Sequence, residues 1–257
     1  MSGSGAPVGV FDSGVGGISV LRELQCELPA EDFIYYADSG HCPYGGKPHE
    51  AIVARAAAIT EFLLARGCKL IVVACNTATI AAVEHLRESY PLPFIGMEPA
   101  VKPAVQQTKT GVVGVLATGA ALGGEKFHKL VAAHAGGVRV ITQPCPGWVE
   151  LVERGELGTP VARELVARHV APLLAQGVDT LVLGCTHYPF LRPLVEQAAG
   201  AGVAVLDTGA AVARHTRRVL EREQLINAGA ARSGKLEWHT SGDAQQFASL
   251  RKTLIEA

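Results

Sequence analysis

No stretch of this chain is apolar for long enough to cross a membrane, and the segment following Met1–Pro7 is too short for the core of a secretory signal. Neither a membrane partner nor export is expected, and a reducing cytoplasm is the expected compartment. Aromatic residues make up only 5% of the chain, and the formal net charge is −1. Base-stacking surfaces and phosphate-binding stripes are therefore not expected, and with them nucleic-acid binding. No Walker-type phosphate loop occurs. The one glycine loop after a strand, Gly14-Val15-Gly16-Gly17, carries Ser19 where a dinucleotide fingerprint needs its third glycine. No Cys-x-x-Cys occurs either, and the six cysteines, Cys26, Cys42, Cys68, Cys75, Cys145 and Cys185, are scattered. That pattern excludes a disulfide scaffold. A zinc site would have to be assembled from pairs such as His41 with Cys42 and Cys185 with His187, so no metal is expected.

What is there is an alternation of short apolar runs and helical patterns. Strands are predicted at Val8–Phe11, Phe33–Ala37, Leu70–Ala74 and Phe94–Gly96, with helices after each of the first three. A stretch from Met97 to Lys109, with Pro99 and Pro103, reads as a seam. The alternation then restarts at Val112–Ala117 and continues through Val138–Thr142, Thr180–Leu183 and Val203–Leu206 to a final strand at Leu236–Thr240 and a closing helix. This pattern predicts two similar α/β units with mostly parallel sheets, related by pseudo-symmetry. The halves echo each other: Gly9–Gly14 resembles Gly114–Gly119, and the Cys75 segment resembles the Cys185 segment. In open α/β sheets ligands bind beyond the carboxyl ends of strands, so a site is expected in the cleft between the units.

Cys75 and Cys185 each follow an apolar strand and precede a helical pattern. Asn76 and Thr77 are suited to capping. A helix N-terminus favours a thiolate, whereas burial opposes it, and the sequence leaves that balance open. Cys185 has His187 two residues on, which suits a base, a proton relay or a ligand pair. Asp12 and Ser13 either cap the following helix or place a carboxylate and a hydroxyl in the cleft. His41-Cys42-Pro43-Tyr44-Gly45-Gly46 has unusual side chains for a plain turn. Cys26, Cys68 and Cys145 read as core or near-surface residues, and Cys42 has no derivable role. Two matched thiols fit proton removal and return on opposite faces of one carbon better than covalent catalysis, which needs one nucleophile. A non-enzymatic amino-acid-binding or redox-sensing module is the alternative from another class.

Five segments in order resemble the glutamate racemases of the aspartate/glutamate racemase superfamily: Phe11–Gly17, Tyr36–Asp38 with Pro43–Gly45, Ala74–Ala78, Gly184–Pro189 and Thr240–Asp243. The resemblance implies cofactor-independent two-base interconversion of L- and D-glutamate, supplying D-glutamate for peptidoglycan, with aspartate as the alternative substrate. It implies catalytic roles for Cys75 and Cys185, assisted by Asp12, Glu153 and His187. It implies substrate contacts from Asp12, Ser13, Pro43, Tyr44, Gly45, Asn76, Thr77, Thr118, Thr186 and His187. It also implies that both chain ends share one domain, 1–97 plus 208–257, that 98–207 forms the other, and that the chain forms a homodimer. One departure is Ala121, where such families often carry a second threonine. Another is the lack of an N-terminal extension of the kind linked to activation by a peptidoglycan precursor, so that regulation is not expected.

Overall fold

The computed structural model describes residues 3–227 and 233–256. The other positions of Met1–Pro7 and of the 208–257 span lie outside the described residues. The chain is a mixed α/β fold with two sheets. In the first, β1 (Val8–Asp12) is central, flanked by β2 (Phe33–Ala37) and β3 (Leu70–Val73). The two-residue β4 (Phe94–Ile95) extends one edge, and β9 (Leu236–Thr240) extends the other by pairing with β2. In the second, β5 (Val112–Ala117) lies between β6 (Arg139–Pro144) and β7 (Thr180–Leu183), and β8 (Ala204–Leu206) pairs with β7. Every strand pairing among the described residues is parallel.

Sequence explains the layers. β1, β3 and β7 are buried at every residue, as strands covered on both faces require. Edge strand β6 is partly exposed and carries Arg139, Thr142 and Gln143. Helices α1 (Ile18–Glu27), α2 (His49–Leu64) and α3 (Asn76–Ser89) follow the first three strands. α6 (Glu125–His134), α7 (Trp148–Glu153), α8 (Pro160–Leu174) and α9 (Arg192–Ala199) serve the second sheet. α10 (Gly209–Arg222) and α11 (Ala244–Glu256) return to pack on α1. Among the described residues no helix is long and apolar enough to cross a membrane.

The internal echo is visible in the backbone. Ala74 donates its N–H to the Phe11 carbonyl at 2.7 Å, and Gly184 donates to the Leu116 carbonyl at 2.7 Å. Each bond ties the strand bearing a cysteine to the central strand of its sheet, one residue before that cysteine. Cys75 and Cys185 are thus the residues at which each chain leaves its sheet.

Two helices were not expected. The predicted seam contains α4 (Val101–Gln107), which buries Val101 and Ala104. Pro103 is tolerated because it lies in the first turn, where its missing N–H has no intrahelical acceptor. The short α5 (Gly119–Gly123) starts where Thr118 Oγ1 accepts the Ala121 N–H at 3.3 Å.

Candidate active site

Cys75 is itself the cap of α3. Its backbone is extended and its sulfur accepts the Ala78 N–H at 3.4 Å, a role expected of Asn76 or Thr77. Those two residues begin the helix instead. The Cys75 thiol faces Ser13 Oγ at 3.7 Å and is 5% exposed. Burial pushes this thiol well above its ordinary value, the Asp12 carboxylate pushes it further, and the bonds from Ala78 and to Ser13 do not compensate. The balance the sequence left open falls against the helix terminus, so Cys75 rests as a thiol. Thr77 Oγ1 pairs with Thr118 Oγ1 at 3.3 Å, joining the two halves. Both polar side-chain atoms of Asn76 are buried with no hydrogen-bond partner among the described residues. Leaving such an amide unpaired costs about 1–3 kcal/mol, which a polar ligand would remove.

Cys185 has a different setting. After it comes a 3₁₀ turn, Tyr188–Leu191, and α9 begins only at Arg192. Its thiol contacts a side chain: Cys185 Sγ lies 3.8 Å from His187 Nδ1. The other ring nitrogen, Nε2, lies 2.7 Å from Glu153 Oε1, and the same oxygen accepts the Val15 N–H at 2.8 Å. Burial lowers the affinity of His187 for its proton, but its bonds with Cys185, Cys42 and Glu153 outweigh that and hold it well above its ordinary value. Burial raises Glu153, yet the bond and charge of His187 bring it below its ordinary value. The pair is therefore imidazolium and carboxylate at neutral pH.

Two glycines make this contact possible. A Cβ on Gly14 would lie 1.9 Å from Glu153 Oε1, and one on Gly16 would lie 2.3 Å from His187 Nδ1. Any side chain at either position would displace the charged pair. The loop between β1 and α1 thus lies against groups from the second half of the chain. α7 is held in place by Trp148, which is fully buried, donates its N–H to His169 Nδ1 at 3.0 Å and packs edge-on against Tyr188.

Asp12 does both things the sequence allowed. It is fully buried and accepts the N–H groups of Ser13 and Gly17, each at 2.7 Å, shaping the loop before α1. It also accepts the Thr186 hydroxyl at 3.3 Å, bridging to the second half. Burial raises its carboxyl, with the His187 charge opposing.

The loop after β2 is anchored by a residue absent from the expected site. Asp38 is fully buried and accepts the Tyr44 hydroxyl at 2.6 Å and two bonds from Arg55, at 2.7 and 3.0 Å. Burial pushes Asp38 up, but those bonds prevail and hold it below the usual carboxylate range. Its position directly after a strand, ahead of a loop rich in glycine, was the available signal. His41 turns to Asp38 at 3.1 Å rather than joining Cys42. Of the remaining cysteines, Cys26 is exposed, while Cys68 and Cys145 are buried.

These pieces meet at a cavity of about 20 Å³. From the first half, Ser13, Pro43, Tyr44, Gly45, Cys75, Asn76 and Thr77 line it. From the second half, Thr118, Cys185, Thr186 and His187 line it, with Val149 and Gly184, which the sequence did not single out. Asp12 and Glu153 do not line it. They stand behind Ser13 and Thr186, and behind His187, respectively. The arrangement places two thiols from equivalent strand ends on one small space, with hydroxyls and an unpaired amide around them. That combination suits moving a proton on and off a polar substrate.

Known proteins resemble this chain over nearly its whole length. The family model described as Asp/Glu/Hydantoin racemase matches residues 8–216. A glutamate racemase of Herpetosiphon aurantiacus is 60% identical over 248 residues, covering 96% of this chain and 97% of that protein. The crystal structure of glutamate racemase from Thermus thermophilus in complex with β-chloro-D-alanine is 36% identical, with a TM-score of 0.82, and covers 98% of this chain and 94% of that one. The structure of Escherichia coli glutamate racemase in complex with L-glutamate and an activator is 35% identical, with a TM-score of 0.84, covering 96% and 95%.

Proposed function

Because the chain belongs to the Asp/Glu/Hydantoin racemase family, we propose that Cys75 and Cys185 are the two bases with which it interconverts L- and D-glutamate. The observation that carries this reading is the shared cavity: each half supplies one strand-end thiol to it.

In one direction a Cys185 thiolate removes the α-proton while the Cys75 thiol delivers its own to the opposite face. The thiol state of Cys75 at rest suits it as that donor. Turnover leaves the protons exchanged, which is the form the reverse reaction needs. His187, held charged by Glu153, is placed to exchange a proton with Cys185 through Nδ1. The α-proton is weakly acidic, so the developing negative charge needs donors. The Asn76 amide is unpaired among the described residues, and the hydroxyls of Ser13, Thr77, Thr118 and Thr186 line the same space and can turn from their present partners to substrate, with Tyr44 and the Pro43–Gly45 backbone forming a wall. Asp12 positions the Ser13 and Thr186 loops.

No step in this scheme needs a cofactor or metal. A cavity of about 20 Å³ has room for about one water molecule, far less than glutamate requires. Substrate must therefore part the two halves. The domain reading of 1–97 plus 208–257 against 98–207 gives this opening a basis, supported by the pairing of β9 with β2. A cytoplasmic homodimer supplying D-glutamate to peptidoglycan is the setting we propose.

The purified chain, incubated separately with L-glutamate and L-aspartate and followed by circular dichroism, tests the substrate. Racemisation of glutamate should be faster by about 10–200-fold, the discrimination one methylene allows. Equal or faster turnover of aspartate would overturn the assignment.

A further inference from the structure

We propose that Cys42, Glu153 and His187 form a binding site for a soft divalent cation, zinc in particular, and that its occupation shuts the enzyme off. One ligand atom from each of these residues lies within 4.8 Å of the other two. A thiol, an imidazole and a carboxylate are the ligand types that zinc takes, and three protein ligands leave its fourth position for water. Tetrahedral coordination at normal zinc bond lengths separates ligand atoms by about 3.3–3.7 Å. The trio therefore needs only side-chain rotation to close on an ion.

The surroundings support the assignment. The donors converge on the glycine loop: a Cβ at Gly14 would meet both Glu153 Oε1 and Cys42 Sγ, at 1.9 and 3.0 Å, so the loop's bare backbone keeps this space open. The Val15 N–H already fixes the Glu153 carboxylate at 2.8 Å. There is also an entry path. Cys42 and Glu153 line a second cavity, of about 450 Å³, which Cys75 does not line. Glu150 and Asp243 stand on that cavity with Arg154 as the opposing cation, so its charge favours a cation over an anion.

Binding exchanges protons for the metal. The Cys42 thiol, which burial pushes up to about 11, loses its proton, and His187 loses the one on Nε2. A thiolate, a carboxylate and a neutral imidazole then hold the ion, and affinity should fall as the solution is acidified. With Nε2 on the metal, the remaining ring proton sits on Nδ1, facing Cys185. Giving that proton up would now leave an imidazolate instead of a neutral imidazole, so the ring can no longer exchange a proton with Cys185. This loss of activity rests on the two-thiol reading, whereas the metal site itself does not.

Cobalt(II) is the probe, since a thiolate ligand gives it an intense near-ultraviolet charge-transfer band. Titrating the full-length, metal-free protein should produce this band and saturate at one cobalt per chain. Cys42→Ser, which preserves size and lies outside the catalytic set, should retain racemase activity but lose the band. It should also need at least tenfold more zinc for half inhibition. Cys42→Ala serves as a second variant with the same expectation. If the band and the zinc sensitivity survive in both variants, the metal sits on Cys75 or Cys185 and the proposal fails. It fails equally if excess cobalt gives the folded parent no band. A band without inhibition would retain the site and reject its effect on the reaction.

Discussion

Cys75→Ala and Cys185→Ala each reduce the rate of glutamate racemisation by at least about 10²–10⁴-fold, the contribution expected of one positioned acid–base group. The loss should be nearly the same for both reaction directions, because each direction uses one thiol as base and the other as acid. Partial reactions should differ. Each variant retains one thiol on the cavity, so slow exchange of the α-proton with solvent can persist for one enantiomer and not the other. Nuclear magnetic resonance in deuterated water reads that exchange separately from optical activity. Cys75→Ala has a complication, since it also removes the sulfur that caps α3 at the Ala78 N–H. Losing a cap costs about 0.5–2 kcal/mol. Cys75→Ser keeps an acceptor there and should fold like the parent, yet its hydroxyl is far too weak an acid to serve as the base. If either alanine variant racemised at the parental rate, the assignment of two bases would be wrong.

A second large effect lies far from the cavity. Lys69→Met should destabilise the protein by about 3–5 kcal/mol, the cost of stranding one member of a buried ion pair. Lys69 and Glu31 have side chains 0% and 1% exposed and approach to 2.6 Å. Lys69 Nζ also donates to the Ser4 carbonyl, and Glu31 accepts the Asn227 N–H at 2.7 Å. The pair thus joins the chain's start, the turn before β2 and the segment after α10. Removing only the lysine leaves a carboxylate in a dry place with one donor, the Asn227 N–H, among the described residues. Adding Glu31→Leu to Lys69→Met should recover most of the loss, since well-packed apolar pairs often match buried ionic ones. Urea unfolding checks both. A loss below about 1 kcal/mol for Lys69→Met would mean that the lysine is not holding a buried charge.

The strand ends were legible in the sequence because each is an apolar run that stops abruptly at a small polar group. Leu70–Val73 before Cys75 and Thr180–Leu183 before Cys185 are both such runs, and both strands are fully buried. The echo between halves was legible for the same reason, and the backbone bonds at Ala74 and Gly184 show what it encodes. α4 was hidden by Pro99 and Pro103, since a proline in a first turn looks like a breaker unless the helix start is known. Its apolar face consists of little more than Val101 and Ala104. The link from Val15 to Glu153 to His187 spans residues 138 and 34 positions apart, and no local pattern reports it. For that reason no local pattern singles out Glu153, and only the resemblance named it. Nor could the thiol state of Cys75 be read, because a helix terminus is a local feature and burial is not.

The central claim is that two groups, one on each face, handle the proton. Its most direct test is to start with L-glutamate in fully deuterated water and analyse both enantiomers during the first few per cent of reaction. The D-glutamate formed should carry deuterium at the α-carbon from the first turnover, because its proton comes from a thiol equilibrated with solvent. The remaining L-glutamate should stay protiated, because the base that takes its proton does not return a solvent deuteron to the same face. Early D-glutamate that retains the substrate's own proton, or deuterium entering both enantiomers at equal rates, would indicate a single base and contradict the account.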